Sequence, residues 1–91
     1  MSITVKVPTQ LRTLTDGSTE VEARGATVRE LVADLEARHP GIASRLLDDT
    51  GALRRFINVY VDDEDVRFLN GIETPLQEGS KVSIIPAVAG G

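Results

Sequence analysis

The group in this chain best suited to covalent chemistry is not a side chain. The sequence finishes "IIPAVAGG", residues 84–91, and a carboxyl group carried by two glycines is unhindered. Without Cβ atoms, Gly90 and Gly91 fit a narrow slot in a partner. Such an ending suits acyl activation: adenylation of the Gly91 carboxylate by ATP, then attack of a nucleophile on the activated carbonyl. The five residues after Pro86 reach about 17 Å when extended. Glycine costs more backbone entropy to order than any other residue, so a packed terminus gains little from it. The plain alternative is fraying, which small residues tolerate.

Other residues that invite chemistry carry less. "DDED", residues 62–65, is rich in carboxylates but lacks the central glycine and distal glutamate of a calcium loop, so a solvated turn is expected. His39, the single histidine, sits at a helix end without a serine or cysteine partner at catalytic spacing. Arg54 and Arg55 suit acidic partners or plain solvent equally. The chain has no cysteine, which excludes disulfides, thiolate metal sites and a thiol nucleophile. No catalytic residue, metal site or bound cofactor is expected. The chain reads as a substrate for partner enzymes.

These residues need a scaffold. "ITVKVPTQL" alternates, with Ile3, Val5 and Val7 on one face, and "TEVEA" follows a short glycine-containing loop: an N-terminal hairpin. "TVRELVADLEARH" opens on a Thr27–Glu30 capping box and places Val28, Leu31, Val32 and Leu35 on one helical stripe. Arg38 and His39 suit the helix C-terminus, and Pro40-Gly41 stops it. "IASRLLDD" reads as a short helical turn with Leu46 and Leu47 inward. "RFINVYV" is a strand, "DDED" a turn, "VRFL" a short strand, Leu76 a buried anchor in a turn-rich stretch, and "KVSIIP" the last strand. This order predicts an α+β β-grasp: a mixed sheet of four or five strands, the first parallel to the last, with one main helix packed across it. The domain spans residues 1–86, and 87–91 form a flexible tail.

Alternation on the central strand separates Ile57, Val59 and Val61, placed inside, from Phe56, Asn58 and Tyr60. Phe56, Tyr60 and Ile85 then contribute to an exposed apolar patch of the kind that marks docking.

Bulk composition narrows the partners. Ten basic against 14 acidic residues give a net charge of −4 and a pI near 4.8, which argues against nucleic acid. No apolar run approaches a membrane span, and the start lacks a signal-peptide core, so a cytoplasmic location is expected.

The whole chain resembles the ThiS/MoaD group of ubiquitin-like sulfur carriers, and "PAVAGG" carries the likeness most closely. In that family an ATP-dependent activating enzyme adenylates the terminal glycine and a sulfur donor converts it to a thiocarboxylate. The resemblance implies that Gly91 is the reacting residue, that Gly90 and Ala89 give clearance, and that Val88 joins Phe56, Tyr60 and Ile85 in docking. "RRFINVYVDDEDVRFLNG", residues 54–71, most resembles the actinobacterial branch serving cysteine biosynthesis. There the thiocarboxylate attacks an aminoacrylate held on pyridoxal phosphate (PLP) by a cysteine synthase, and a metal-dependent peptidase releases the cysteine. Thiamin-pathway carriers are usually shorter and lack the segment 40–53. Molybdopterin synthase small subunits often carry an aromatic pair where this chain has Ile84-Ile85. A ubiquitin-like tag conjugated to lysines would use the same tail.

Overall fold

The computed structural model describes residues 2–55 and 57–86. Alternation makes Ser2–Lys6 a strand, β1, with Ile3 and Val5 fully buried. β2 (Glu20–Arg24) lies antiparallel to it, pairing Ile3 with Ala23 and Val5 with Val21. β3 (Ile57–Val61), β4 (Glu64–Asp65) and β5 (Lys81–Pro86) complete one sheet in the order β2-β1-β5-β3-β4. β5 runs parallel to β1 and antiparallel to β3. A parallel pair needs a long crossover, and that crossover carries helix α1 (Val28–Arg38). The result is the expected β-grasp, with five strands.

The core lies between sheet and helix. Val28, Leu31, Val32 and Leu35 of α1 join Ile3, Val5, Ala23, Val59, Val61, Val82 and Ile84 in one buried cluster. Each such aliphatic side chain stabilises the fold by about 1.5–3 kcal/mol when fully buried. Thr27 Oγ1 accepts the Glu30 N–H at 3.3 Å, as a capping box requires. The return bond runs from the Ala26 N–H to Glu30 Oε1 at 3.1 Å, one residue before the cap. Gly25, between β2 and α1, has no substitute of equal size. A Cβ there would stand 2.5 Å from the Leu31 nitrogen and 2.9 Å from the Glu30 carbonyl carbon. A short helix, α2 (Ile42–Leu46), follows; Leu46 is buried and Leu47 only half-buried. Leu76 is the buried anchor expected.

Two connections differ from the sequence-based expectation. The loop from β1 to β2 is not short: Thr9–Thr15 forms a 3-10 helix. Pro8 enters it in extended conformation, Leu11 buries its side chain in the core, and the Thr15 hydroxyl donates to the carbonyls of Arg12 and Ser18. Those anchors hold an excursion that a turn signal at Asp16-Gly17 does not show. Nor is "VRFL" a strand. Asp62 and Asp63 both take positive φ, 50° and 74°, giving a two-residue hairpin whose twist matches the flanking strands. Pairing therefore begins at once, Val61 with Glu64 and Tyr60 with Asp65. The Asp65 carboxylate then caps a 3-10 turn, Val66–Phe68, by accepting the Arg67 N–H at 2.8 Å.

Candidate functional site

β5 is an interior strand of the sheet, and it ends at Pro86, opposite Ile57 of β3. The last five residues of the sequence follow it. Val88, Ala89, Gly90 and Gly91 lie outside the described residues, as does Phe56. Tyr60 and Ile85 are within them. Directly opposed residues of an antiparallel pair share a face. Tyr60 opposes Ser83 and Asn58 opposes Ile85, so these four point away from α1, while Val59, Val61, Val82 and Ile84 point into the core. Ile85 keeps 47% of its surface open, whereas Tyr60 is half-buried. Thr4 and Lys6 of β1 and Lys81 of β5 extend the same face through the parallel register. Lys6 and Lys81 are the two lysines of the chain, and both are exposed. The face thus combines an apolar strip with adjacent ammonium groups and suits a partner surface of mixed character.

Phe68 and Leu69 were not singled out by sequence, yet they are 87% and 41% exposed. Read as a strand, Val66 and Phe68 would share one side. In a 3-10 turn, with three residues per turn, Val66 drops into the core at 0% exposure and Phe68 swings outward. Leu69 borders an open depression of about 340 Å³, also lined by Val61, Asp62, Glu64, Asn70 and Thr74. Its walls hold carboxylates, an amide and a hydroxyl, but no histidine, cysteine or lysine to pair with them.

The acidic turn is occupied with structural duties. Asp62 Oδ1 accepts the Lys81 N–H at 3.0 Å and Asp65 Oδ1 that of Arg67. No group of three or more His, Asp or Glu side chains among the described residues is placed to hold a metal ion. His39 caps α1 through its backbone N–H, 2.7 Å from the Leu35 carbonyl. Arg54 Nε donates to the Ser44 carbonyl at 2.9 Å.

The shifted carboxylates also belong to the scaffold. Asp34 is held below its usual range first by the Arg24 backbone N–H at 2.7 Å and further by Arg38, which ties β2 to α1. Glu36 is lowered by the N–H groups of Gly41 and Ala43, closing α1 onto α2. The Thr50 hydroxyl lowers Asp48, and the Arg29 guanidinium lowers Glu73. None of the four lies on the outer sheet face.

An interior strand leading into a glycine-terminated segment, on a small sheet-and-helix domain, defines a ubiquitin-like carrier rather than a catalyst. The chain belongs to the ThiS family, whose profile matches residues 5–91. It is 50% identical over 93 residues to the sulfur carrier protein CysO of Mycobacterium tuberculosis (strain ATCC 25618 / H37Rv), covering all of both chains. It is 41% identical over 66 residues to small archaeal modifier protein 3 of Haloferax volcanii, covering 72% of this chain and 71% of that one. Its fold superposes on a chain of the crystal structure of the Amycolatopsis orientalis BexX/CysO complex with a TM-score of 0.92, at 55% identity, over 98% of this chain and 99% of the other. No helix among the described residues is long and apolar enough to cross a membrane.

Proposed function

We propose that this protein carries sulfur as a thiocarboxylate on Gly91 and donates it to a PLP-dependent cysteine synthase. The observation that carries the reading is likeness to a sulfur carrier protein across the full length of both chains. The course of β5 supports it, because an interior strand ends where the reactive segment begins. An oxygen of the Gly91 carboxylate attacks the α-phosphorus of ATP and pyrophosphate leaves. A sulfide equivalent then attacks the acyl carbon and AMP leaves. The thiocarboxylate is soft and ionised near neutral pH, and it adds to the electrophilic carbon of an unsaturated amino acid on the synthase. A shift of the acyl group from sulfur to nitrogen leaves cysteine in amide linkage to Gly91. Hydrolysis by a metal-dependent peptidase frees the cysteine and restores the carboxylate. ATP and PLP belong to the partner enzymes, which grip the outer face at Tyr60 and Ile85, with Phe56 and Val88. Gly90 and Ala89 keep the approach to Gly91 narrow.

The test is intact-mass analysis after incubation with ATP, sulfide and the activating enzyme, followed by iodoacetamide. Because the chain has no cysteine, a single alkylation adduct mapped to Gly91 is the expected result. No adduct, with the same enzyme active on a known carrier, refutes the reading. A second reading, conjugation of Gly91 to lysines of other proteins, is favoured by the likeness to a small archaeal modifier protein. Isopeptide-linked Gly91 in cell extracts would support it.

A further inference from the structure

Arg67 makes a set of contacts that neither packing nor ion pairing accounts for. Its starting point is fixed: Val66 before it is wholly buried, and Asp65 accepts its backbone N–H. From there the guanidinium reaches back over the segment that leads into β3. Nη1 donates to Asn58 Oδ1. Nη2 faces the carbonyl oxygens of Arg54, Arg55 and Ile57 at 2.9, 3.0 and 2.7 Å. The two N–H bonds of that nitrogen are shared among three carbonyls, so the cation staples main chain rather than a carboxylate. Charge-assisted bonds of this kind are stronger than neutral ones, and the planar fork fixes their directions. The segment is also tied from its other side. The Arg54 N–H donates to the Leu46 carbonyl at 2.9 Å, and the Ile57 N–H to the Arg54 carbonyl at 3.1 Å.

The stapled residues border the end of β5. The β1 register against β5 runs from Lys81 to Ser83, whereas the β3 register continues to Pro86. Ile84, Ile85 and Pro86 therefore have β3 as their sheet neighbour, with Asn58 opposite Ile85 and Ile57 opposite Pro86. Arg67 holds both of those β3 residues, one through its side-chain oxygen and one through its carbonyl. The direction in which the chain leaves the sheet is thus set by two residues that a single guanidinium clamps.

We propose that Arg67 is a positioning residue for activation of the terminal carboxylate. It acts through the segment 54–58 to fix the heading of the chain at Pro86, and so the point to which Gly91 is presented. The proposal rests on the carrier reading above. Arg67 is not part of the outer-face pair Tyr60 and Ile85, so removing it leaves docking in place and spoils only the presentation of the acyl group. Misplaced reacting groups lower the rate of the bound complex, which separates kcat from KM.

The experiment measures ATP-dependent pyrophosphate release by the activating enzyme over a range of carrier concentrations, for the wild type, Arg67→Ala and Arg67→Lys. Arg67→Ala is expected to lower kcat on the order of tenfold with KM changed less than about twofold. Arg67→Lys should recover part of the loss, because an ammonium keeps the charge but not the fork. An unchanged kcat in folded Arg67→Ala, or a rise in KM alone, overturns the proposal and leaves the carrier reading intact. Absence of activation in the wild type refutes the carrier reading itself, and this proposal with it. Should Arg67→Ala fail to fold by circular dichroism, the same two criteria applied to Arg67→Lys decide the matter.

Discussion

Two neighbouring isoleucines of β5 should respond in opposite ways to one substitution. Ile84 is 4% exposed and opposes Val59 in the core, whereas Ile85 is 47% exposed and opposes Asn58 on the outer face. Complete burial of an isoleucine is worth about 1.5–3 kcal/mol, so the open half of Ile85 holds roughly 0.7–1.4 kcal/mol for a partner to recover. That alone is about a three- to tenfold change in affinity. In Ile85→Asp the partner must also cover a carboxylate, which adds a desolvation cost, so KM for the carrier should rise by at least about tenfold. Free Ile85→Asp keeps its charge in water and should melt close to the wild type. Ile84→Asp puts the same carboxylate into an apolar core at a cost of several kcal/mol, comparable with the roughly 5–15 kcal/mol that holds a small domain together. It should not fold. Thermal melts by circular dichroism and pyrophosphate release at varied carrier concentration read both outcomes. If Ile85→Asp unfolds while Ile84→Asp does not, the faces are reversed. A folded Ile85→Asp with unchanged KM means that the outer face is not where the activating enzyme docks.

Gly25→Ala should destabilise the fold although its backbone tolerates alanine, because the new methyl meets main-chain atoms of α1 at 2.5 Å and neither can rotate away. Overpacking of this kind costs about 1–3 kcal/mol, or roughly 5–20 °C in Tm for a domain of this size; a melt within 2–3 °C of wild type, on the order of what a surface change produces, would contradict the close approach. Acid should also destabilise the protein in a defined direction. Asp34, Glu36, Asp48 and Glu73 all titrate below their usual range when folded, so the unfolded chain binds more protons. Their contribution is complete above about pH 5 and is lost as pH falls through the folded values. Urea midpoints measured against pH should slope less steeply below about pH 5 in Glu36→Gln, and an identical slope would show that the Gly41 and Ala43 N–H groups do not hold this carboxylate.

Where a side chain itself decides the structure, the sequence was a good guide. Ile3, Val5 and Val7 announced the first strand, the stripe from Val28 to Leu35 announced α1, and the alternation through Val59 and Val61 sorted β3 into its two faces. The failures share a cause. The 3-10 helix at Thr9–Thr15 and the turn at Val66–Phe68 are too short to show an amphipathic period. The hairpin at Asp62-Asp63 depends on positive φ, which aspartate tolerates without advertising it. Arg67 escaped notice because most of its acceptors are backbone carbonyls, which every residue has. Of the candidate site, the Gly-Gly ending was legible by type and by family likeness. The outer face was legible only as far as alternation reached, and Phe68 was missed because the strand expectation assigned it the wrong period.

The parallel pairing of β1 with β5 has a mechanical consequence. An enzyme that draws the C-terminal segment into its own cleft applies tension along β5. At an interior strand that tension acts as shear on the ladders to β1 and β3, so several hydrogen bonds carry the load together. An edge strand pulled across its ladder would instead peel open one bond after another. Placing the loaded strand inside the sheet lets a partner tug on the reactive end without unravelling the domain behind it.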